Sequence, residues 1–430
     1  MRKIILIAVM LCTTPLMVQS QNTLLERYRT MAVAYNHDLK AAEKNIAASV
    51  ELEQMARADR KPKLAAGANF QYTGNPTELT VSIPSLDAPL SFRGTDLNYG
   101  ASLSLMQPIY AGGRVSETIK MAQHQRSLAM ASSDVVRSEV CFQTDLQYWN
   151  TVARHEMVGI ANDFMTSITS LVKTIKERVE VGLVNPQELL MAEVKLNEAQ
   201  YQLQQAQSNL ETSRMALNSL IGEELPAATP IDSAIPTITE FDLLHLAGAE
   251  RAELAVAQSR VKIAQSSLRL NDAPYKPQLY VGAEGNYASP GYNFKPDLNF
   301  NYAVYAKLSI PIFEWGKRGS RKRASQQQVG MATDNLRQVE DNINLEHQTA
   351  RVALMQAIER VELSHASLGK AEENERKALE RYREGEVSIL EVIDAQTYRQ
   401  TSQVNYVQAK VAAQGHYAEL MRALNQYNIQ

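Results

Sequence analysis

Two hydrophobic periods alternate along this chain. From Leu189, apolar or small side chains recur at Ala192, Leu196, Ala199, Leu203, Ala206, Leu210, Ser213, Leu217 and Leu220. That three–four alternation predicts a helix with one apolar seam. Ala161, Met165, Ile168, Val172, Ile175 and Val179 repeat it upstream. Between the seams lies VGLVNPQELL. Gly182 suits the left-handed position past a helix end, Asn185 an N-cap and Pro186 the first helical position, and Glu188 stands where a capping-box carboxylate would. The pattern predicts two antiparallel helices turning at Gly182. No proline occurs from Ile109 to Asn185 or after Pro311. One helix from Arg114 to Val181 would be about 100 Å long, a rod that bridges a distance.

The second period is two. Leu64, Ala66, Ala68, Phe70 and Tyr72 alternate with polar or small residues, as do Leu97, Tyr99, Ala101, Leu103 and Leu105. So do Leu279, Val281, Ala283, Gly285 and Tyr287, and Tyr302, Val304, Ala306, Leu308 and Ile310. Strands are expected at about 64–73, 96–107, 279–287 and 300–310. Segments of about ten residues with one apolar face match barrel strands that cross a bilayer, and the tyrosines at their ends suit an aromatic belt. A soluble sandwich gives similar alternation, so no segment decides alone. The strands do exclude a plain fibrous coiled coil. Four strands cannot close around a lumen, and an open edge in lipid leaves backbone groups unpaired. A barrel would therefore be shared between chains: about eight strands from two chains are nearly filled by side chains, while twelve from three leave a channel.

The elements occur twice. LMQPIYAGGR at 105–114 returns as LSIPIFEWGK at 308–317, and the turn at Gly182 returns at Gly385 in EGEVSILEVIDA, both at an offset of 203 residues. Ser388 then replaces the Asn185 cap and Glu391 replaces Glu188. Lys61, Pro62, Leu64, Gly67 and Tyr72 match Lys276, Pro277, Leu279, Gly282 and Tyr287 at an offset of 215. The difference belongs in a longer polar loop of the first copy, between Tyr72 and Tyr99. The fold class expected is mainly α with a small β part, built from two tandem repeats of helix, strand, strand, long helix and helix. The repeats are expected at 21–222 and 242–430, with a linker at 223–241 carrying three prolines.

The N-terminus adds an address. Residues 1–20 fit a secretory signal, with Arg2 and Lys3, an apolar core from Ile4 to Cys12, and a small-residue cleavage site at Val18-Gln19-Ser20. Cys12 raises a lipoprotein alternative, against which Leu11 counts. Export leaves Cys141 as the one cysteine, so no intramolecular disulfide is expected. A net charge of −3 over 430 residues points to no nucleic acid or other polyanion.

QPIYAGGR, its copy IPIFEWGK and the paired hairpin turns resemble the TolC-type outer-membrane efflux protein family over essentially the whole mature chain. The resemblance implies a homotrimer whose twelve strands form one outer-membrane β-barrel, continued through the periplasm by a long α-helical coiled-coil barrel. It implies an exit duct of a tripartite efflux pump for small molecules, or of a type I protein secretion system. The partners implied are outer-membrane lipid, a periplasmic adaptor (a membrane fusion protein) and an inner-membrane transporter of the resistance-nodulation-division or ABC class. The adaptor-docking tips would be Val181, Gly182, Leu183, Gly385 and Val387. Pro108, Gly112, Gly113, Pro311, Trp315 and Gly316 would join barrel to helices. This sequence departs from the family pattern at Trp315, where glycine is usual, and at Glu384 and Glu386, which make the second turn more acidic. Trp315 fits either an interfacial anchor or packing between helices.

No catalytic signature, cofactor motif or metal-ligand spacing occurs among the seven histidines, so no enzyme and no cofactor is expected. KRGSRKR at 317–323 opposes a helix macrodipole, which lipid headgroups or simple solvation would explain. Glu372, Glu373 and Glu375 are candidates for a carboxylate ring in a pore, or for ion pairs on an outer surface. From a different class, an exported structural coiled-coil protein remains the alternative.

Overall fold

The structure, a computed structural model, describes residues 23–84, 88–239, 248–292 and 295–428. The signal segment at 1–20, the last linker residues 240–241 and the first residues of the second repeat lie outside them. In chain order the elements are α1 (Thr23–Tyr35), α2 (His37–Ala58), β1 (Lys63–Tyr72), β2 (Glu78–Val81), β3 (Leu90–Arg93), β4 (Leu97–Ala111), α3 (Arg114–Glu180), α4 (Pro186–Ile221), α5 (Ala252–Asp272), β5 (Gln278–Ser289), β6 (Asn299–Ser309), α6 (Lys317–Glu384) and α7 (Ile389–Ala423). The mainly helical class with a small sheet part is as expected. Helices α3 and α6, of 67 and 68 residues, are each about 100 Å long at 1.5 Å per residue.

The chain divides into two compact units. The first gathers α1, α3 from Glu139, α4 with the segment after it, α6 from Ala350, and α7 to Leu420. Every seam position of α3 and α4 is buried or half-buried. Phe164 and Ile168 close over Ala199. Leu171 and Ile175 pack with Ala192, Tyr382, Ile389, Val392 and Ile393, joining the two hairpins. Helix α3 thus faces two partners, and its buried stripe is wider than a two-helix seam. A third cluster sets Tyr148, Trp149 and Val152 against Leu25, Tyr28, Leu217 and Ile235. The proline-bearing segment after α4 is pinned to the helices. Tyr28 Oη donates to Pro230 O at 2.5 Å, Tyr148 Oη to Asp232 Oδ2 at 2.6 Å, and Gln414 Nε2 to Pro236 O at 2.9 Å. Proline removes backbone donors, and side chains satisfy the irregular segment instead.

The second unit holds the sheet together with α2, α5, the first parts of α3 and α6, and the C-terminal residues. Strand order is β1-β4-β5-β6, antiparallel throughout. β2 and β3 form a separate hairpin in the longer first loop. The register of β1 on β4, with Leu64 opposite Leu105, recurs in β5 on β6, with Leu279 opposite Leu308. Each of those residues maps onto its counterpart through the offsets of 215 and 203, so the two hairpins share one register.

Candidate functional site

Antiparallel register decides which side chains share a face. Ala66, Leu103, Gly285 and Tyr302 stand in one row across the sheet, and Phe70, Tyr99 and Ser289 in another. The apolar sets of the four strands thus fall on one face. The other face carries Gly67, Ser102, Asn286 and Asn301, then Ser104, Glu284 and Ala303. All ten residues of β1 are exposed, and Val304 is 78% exposed. Among the described residues, β1 and β6 each pair on one side only, so the sheet has two open edges.

The foot of the sheet differs between copies. β4 runs on past its pairing with β1, because Gln107, Pro108, Tyr110 and Ala111 pair with β5. A bulge at Ile109 shifts the register there. Gly112 follows at φ +65°, so close to β5's approach that an added Cβ would lie 2.2 Å from Ala273 O. Gly113 takes φ +89° and starts α3 through its carbonyl. In the second copy β6 stops at Ser309, and Pro311 lies in the irregular segment that follows. Trp315 and Gly316 repeat the backbone of the glycine pair at φ +48° and +77°. A left-handed conformation costs a non-glycine residue about 1–2 kcal/mol, yet the Trp315 indole is 90% exposed, edge-on to Phe313 at 5.0 Å. The basic run 317–323 opens α6, where Arg318 Nε donates to Asp272 Oδ1 at 2.9 Å.

The two hairpin turns have one geometry. Gly182 N–H donates to Val179 O at 3.0 Å and Leu183 N–H to Arg178 O at 2.9 Å. At the other turn Gly385 N–H donates to Tyr382 O at 3.1 Å and Glu386 N–H to Arg381 O at 2.9 Å. The glycines sit at φ +76° and +79°, which favours a residue without Cβ. Pro186 opens α4, and Asn185 Oδ1 accepts from Gln187 N–H at 2.9 Å. Ser388, before α7, is exposed, and its hydroxyl makes no hydrogen bond among the described residues. Glu391 lies 4.0 Å from Arg381. Val181 and Leu183 are exposed and Val387 packs partly against the core between the hairpins. Sequence reasoning did not single out Arg178, whose guanidinium donates to Tyr382 O and Arg383 O at 3.0 and 2.8 Å and so holds the end of α6. A cation in the last turn of a helix was the available signal. Nor did it single out Leu190, Met191, Val194 and Leu390, which line a groove of about 380 Å³ beside the turns.

The three carboxylates separate. Glu372 is exposed and makes no ion pair among the described residues. Glu373 is exposed and bound to Arg376 and Lys377 of its own helix, chiefly through Arg376, which holds its pKa down to about 2. Glu375 is buried, 2.7 Å from Arg399, and burial raises its pKa despite that neighbour. Among the described residues no group of His, Cys, Asp and Glu converges to hold a metal, and no helix is long and apolar enough to cross a membrane.

The family model described as "Outer membrane efflux protein" matches residues 29–223 and 243–426. The chain is 26% identical over 272 residues to the cobalt-zinc-cadmium resistance protein CzcC of Cupriavidus metallidurans, covering 58% of this chain and 62% of that one. It is 24% identical over 337 residues to the solvent efflux pump outer membrane protein SrpC of Pseudomonas putida, covering 72% and 66%. The match thus spans less than two thirds of each relative's length. The crystal structure of the outer membrane protein VceC of Vibrio cholerae superposes with a TM-score of 0.76 at 17% identity, covering 93% of this chain and 96% of that one. Matched over nearly all its described length, the chain belongs to the outer membrane efflux protein family; it is not an enzyme, and its place is the outer membrane.

Proposed function

We propose that this protein is the outer-membrane exit duct of a tripartite efflux pump, passing small toxic molecules or ions from an inner-membrane transporter and a periplasmic adaptor to the outside. The observation that carries this reading is a sheet with one apolar face, one polar face and two open edges. In a bilayer every backbone group needs a partner, so such a sheet calls for closure with other copies. Three copies give about twelve strands and a channel, with the apolar face toward lipid and the polar face toward the lumen. The repeats at 21–222 and 242–430 then supply two hairpins per chain, whose turns at Gly182 and Gly385 form the adaptor-facing tips. Val181 and Leu183 have no folding reason to be apolar where they stand, and a partner supplies one. The names of CzcC and SrpC favour small solutes, metal ions or solvents, as cargo. A resistance-nodulation-division or ABC transporter would supply energy.

The test is fractionation with function. The protein should need detergent, migrate as a trimer in unboiled SDS, and lower cellular accumulation of a pump substrate. Leu183→Glu should leave trimer and insertion intact and abolish efflux. Retained efflux in that variant would move docking away from the tips. Loss of protein export with unchanged solute sensitivity would favour type I secretion, and recovery as a soluble monomer would favour the structural coiled coil. Of the three carboxylates, Glu372 is the one left to form a ring in the pore. Glu372→Gln should lower cation preference in planar bilayers, and an unchanged reversal potential would remove the ring.

A further inference from the structure

Just past the sheet the two copies differ in charge and in aromatic content. The first long helix opens on RVSETIK, residues 114–120, where Glu117 takes Lys120 and Arg269 as partners at 2.9 and 2.7 Å. The matching stretch of the second copy is KRGSRKR, residues 317–323, with five cations and no acid. Among the described residues, Arg318 alone of the five meets a carboxylate, that of Asp272. Lys317, Arg321 and Lys322 are exposed. Positive charge at a helix N-terminus opposes the macrodipole, so the run is unfavourable to the isolated chain. Immediately before it, Trp315 stands in the place of Gly112 at positive φ, where a side chain is strained. Ile312 is 94% exposed, and Phe313 and Trp315 are exposed as well.

An anionic lipid surface relieves all of these costs at once. Apolar rings enter the boundary of the acyl chains, while ammonium and guanidinium groups reach the phosphates. The heights agree. β6 has 11 residues; at about 3.4 Å each and a tilt of about 45° it crosses roughly 26 Å. That is close to the apolar band of about 25 Å of a membrane barrel. Ile312, Phe313 and Trp315 then fall at the boundary, continuing an apolar face that includes the exposed Leu308 and Ile310. Lys317, Arg318, Arg321 and Lys322 follow within about 8 Å of helix, on a face of roughly 140°. A headgroup layer is about 5–8 Å thick.

We propose that Ile312, Phe313 and Trp315, with Lys317, Arg321 and Lys322, form an anchor for anionic phospholipid in the periplasmic leaflet of the outer membrane. The inference rests on the outer-membrane duct reading above. It adds that one copy of the repeat holds anionic headgroups and the other does not, so such lipid would be bound at every second long helix around the assembly.

Tryptophan quenching by brominated lipid tests it. The protein has two tryptophans, and Trp149 is buried in the helical core. Trp149→Phe leaves Trp315 as the reporter; if that variant folds poorly, subtracting the Trp315→Phe signal from the parent's gives the same reading. The full-length trimer is reconstituted in vesicles of equal parts phosphatidylglycerol and phosphatidylcholine, with bromine on one lipid at a time. Trp315 should be quenched more by brominated phosphatidylglycerol at low salt, and the preference should fade as salt shortens the screening length. Lys317→Gln, Arg321→Gln and Lys322→Gln should each lower the preference by up to about fivefold and together abolish it, with trimer and conductance unchanged. Tyr110, the first-copy counterpart of Phe313, is the control: Tyr110→Trp in a chain carrying Trp149→Phe and Trp315→Phe should be quenched without preference. A preference that survives the triple change, or that Tyr110→Trp shares, would overturn the anchor. Equal quenching of Trp315 by both lipids would leave an ordinary aromatic belt and overturn it also. A conducting trimer whose Trp315 neither lipid quenches would assign the patch to a neighbouring copy, against the proposal and with the duct standing. Failure of the parent to insert in vesicles would remove the duct reading and the anchor with it.

Discussion

Ala199 and Leu103 are both apolar residues at regular spacing in regular elements. Ala199 is fully buried beneath Phe164 and Ile168, while Leu103 is 53% exposed. The difference lies in where each element finds its partners. The helical hairpins meet each other within the chain, at Leu171 and Ile175 against Ile389 and Val392. Folding buries their apolar stripe and gains about 25 cal/mol for each Å² removed from water. The sheet pairs its backbone internally at three joints and leaves its apolar face and both edges open. In the proposed duct its stabilisation would come from lipid and from other copies. Folding of the helices and assembly of the sheet should therefore be separable by mutation.

The largest effect is expected in the helical core. Trp149 is buried edge-on to Tyr148 at 5.0 Å. Trp149→Ala should cost about 3–5 kcal/mol through lost burial and a cavity, read as a lower unfolding midpoint of the purified protein. A comparable loss from truncating an exposed sheet residue such as Leu103 to Ala would break the comparison.

Sheet substitutions should act on assembly and depend on the face. Leu103→Arg should cost about 2–4 kcal/mol if it lies near the bilayer midplane and reduce SDS-resistant oligomer in the membrane. Its neighbour Ser102 is on the other face. Ser102→Arg should assemble and lower single-channel conductance. Equal assembly defects in the two would reverse or erase the assignment of faces.

How legible this was follows the same division. Seam and strand periodicities depend on one helix turn or one pleat, so ten seam positions of α4 and the apolar sets of the four strands could be read directly. Features that depend on a distant partner could not. Leu171 widens the α3 stripe because a second hairpin packs there. The extension of β4 through its bulge at Ile109 exists because β5 lies beside it. The β2–β3 hairpin has strands of only four residues, too short for a period of two to stand out from a polar loop. Glu375 and Arg399 meet across two helices, a contact that spacing along α6 does not reveal. At the turns, Gly182 and Gly385 were legible because positive φ is a local demand. The grip of Arg178 on the end of α6 was not, since its acceptors lie about 200 residues away.

The smallest expected effect sharpens the comparison at the turns, where the backbone repeats and the caps do not. Asn185 Oδ1 satisfies Gln187 N–H, one of the orphan donors in the first turn of α4. Pro186 lacks an N–H and has its φ preset, so the Asn185 side chain serves a helix start that is already partly organised. Removing an N-cap oxygen usually costs about 0.5–2 kcal/mol, and Asn185→Ala should fall in the lower half of that range. Ser388 stands at the matching place, exposed, and its hydroxyl makes no hydrogen bond among the described residues. Ser388→Ala should therefore stay within about 0.5 kcal/mol of the parent, as surface changes away from such features do. Hydrogen exchange of the first-turn amides reads both: faster exchange at the start of α4 in Asn185→Ala, and no change at the start of α7 in Ser388→Ala. Equal acceleration in the two would mean that Ser388 caps its helix in the assembled protein, and that the second turn is held by the same chemistry as the first.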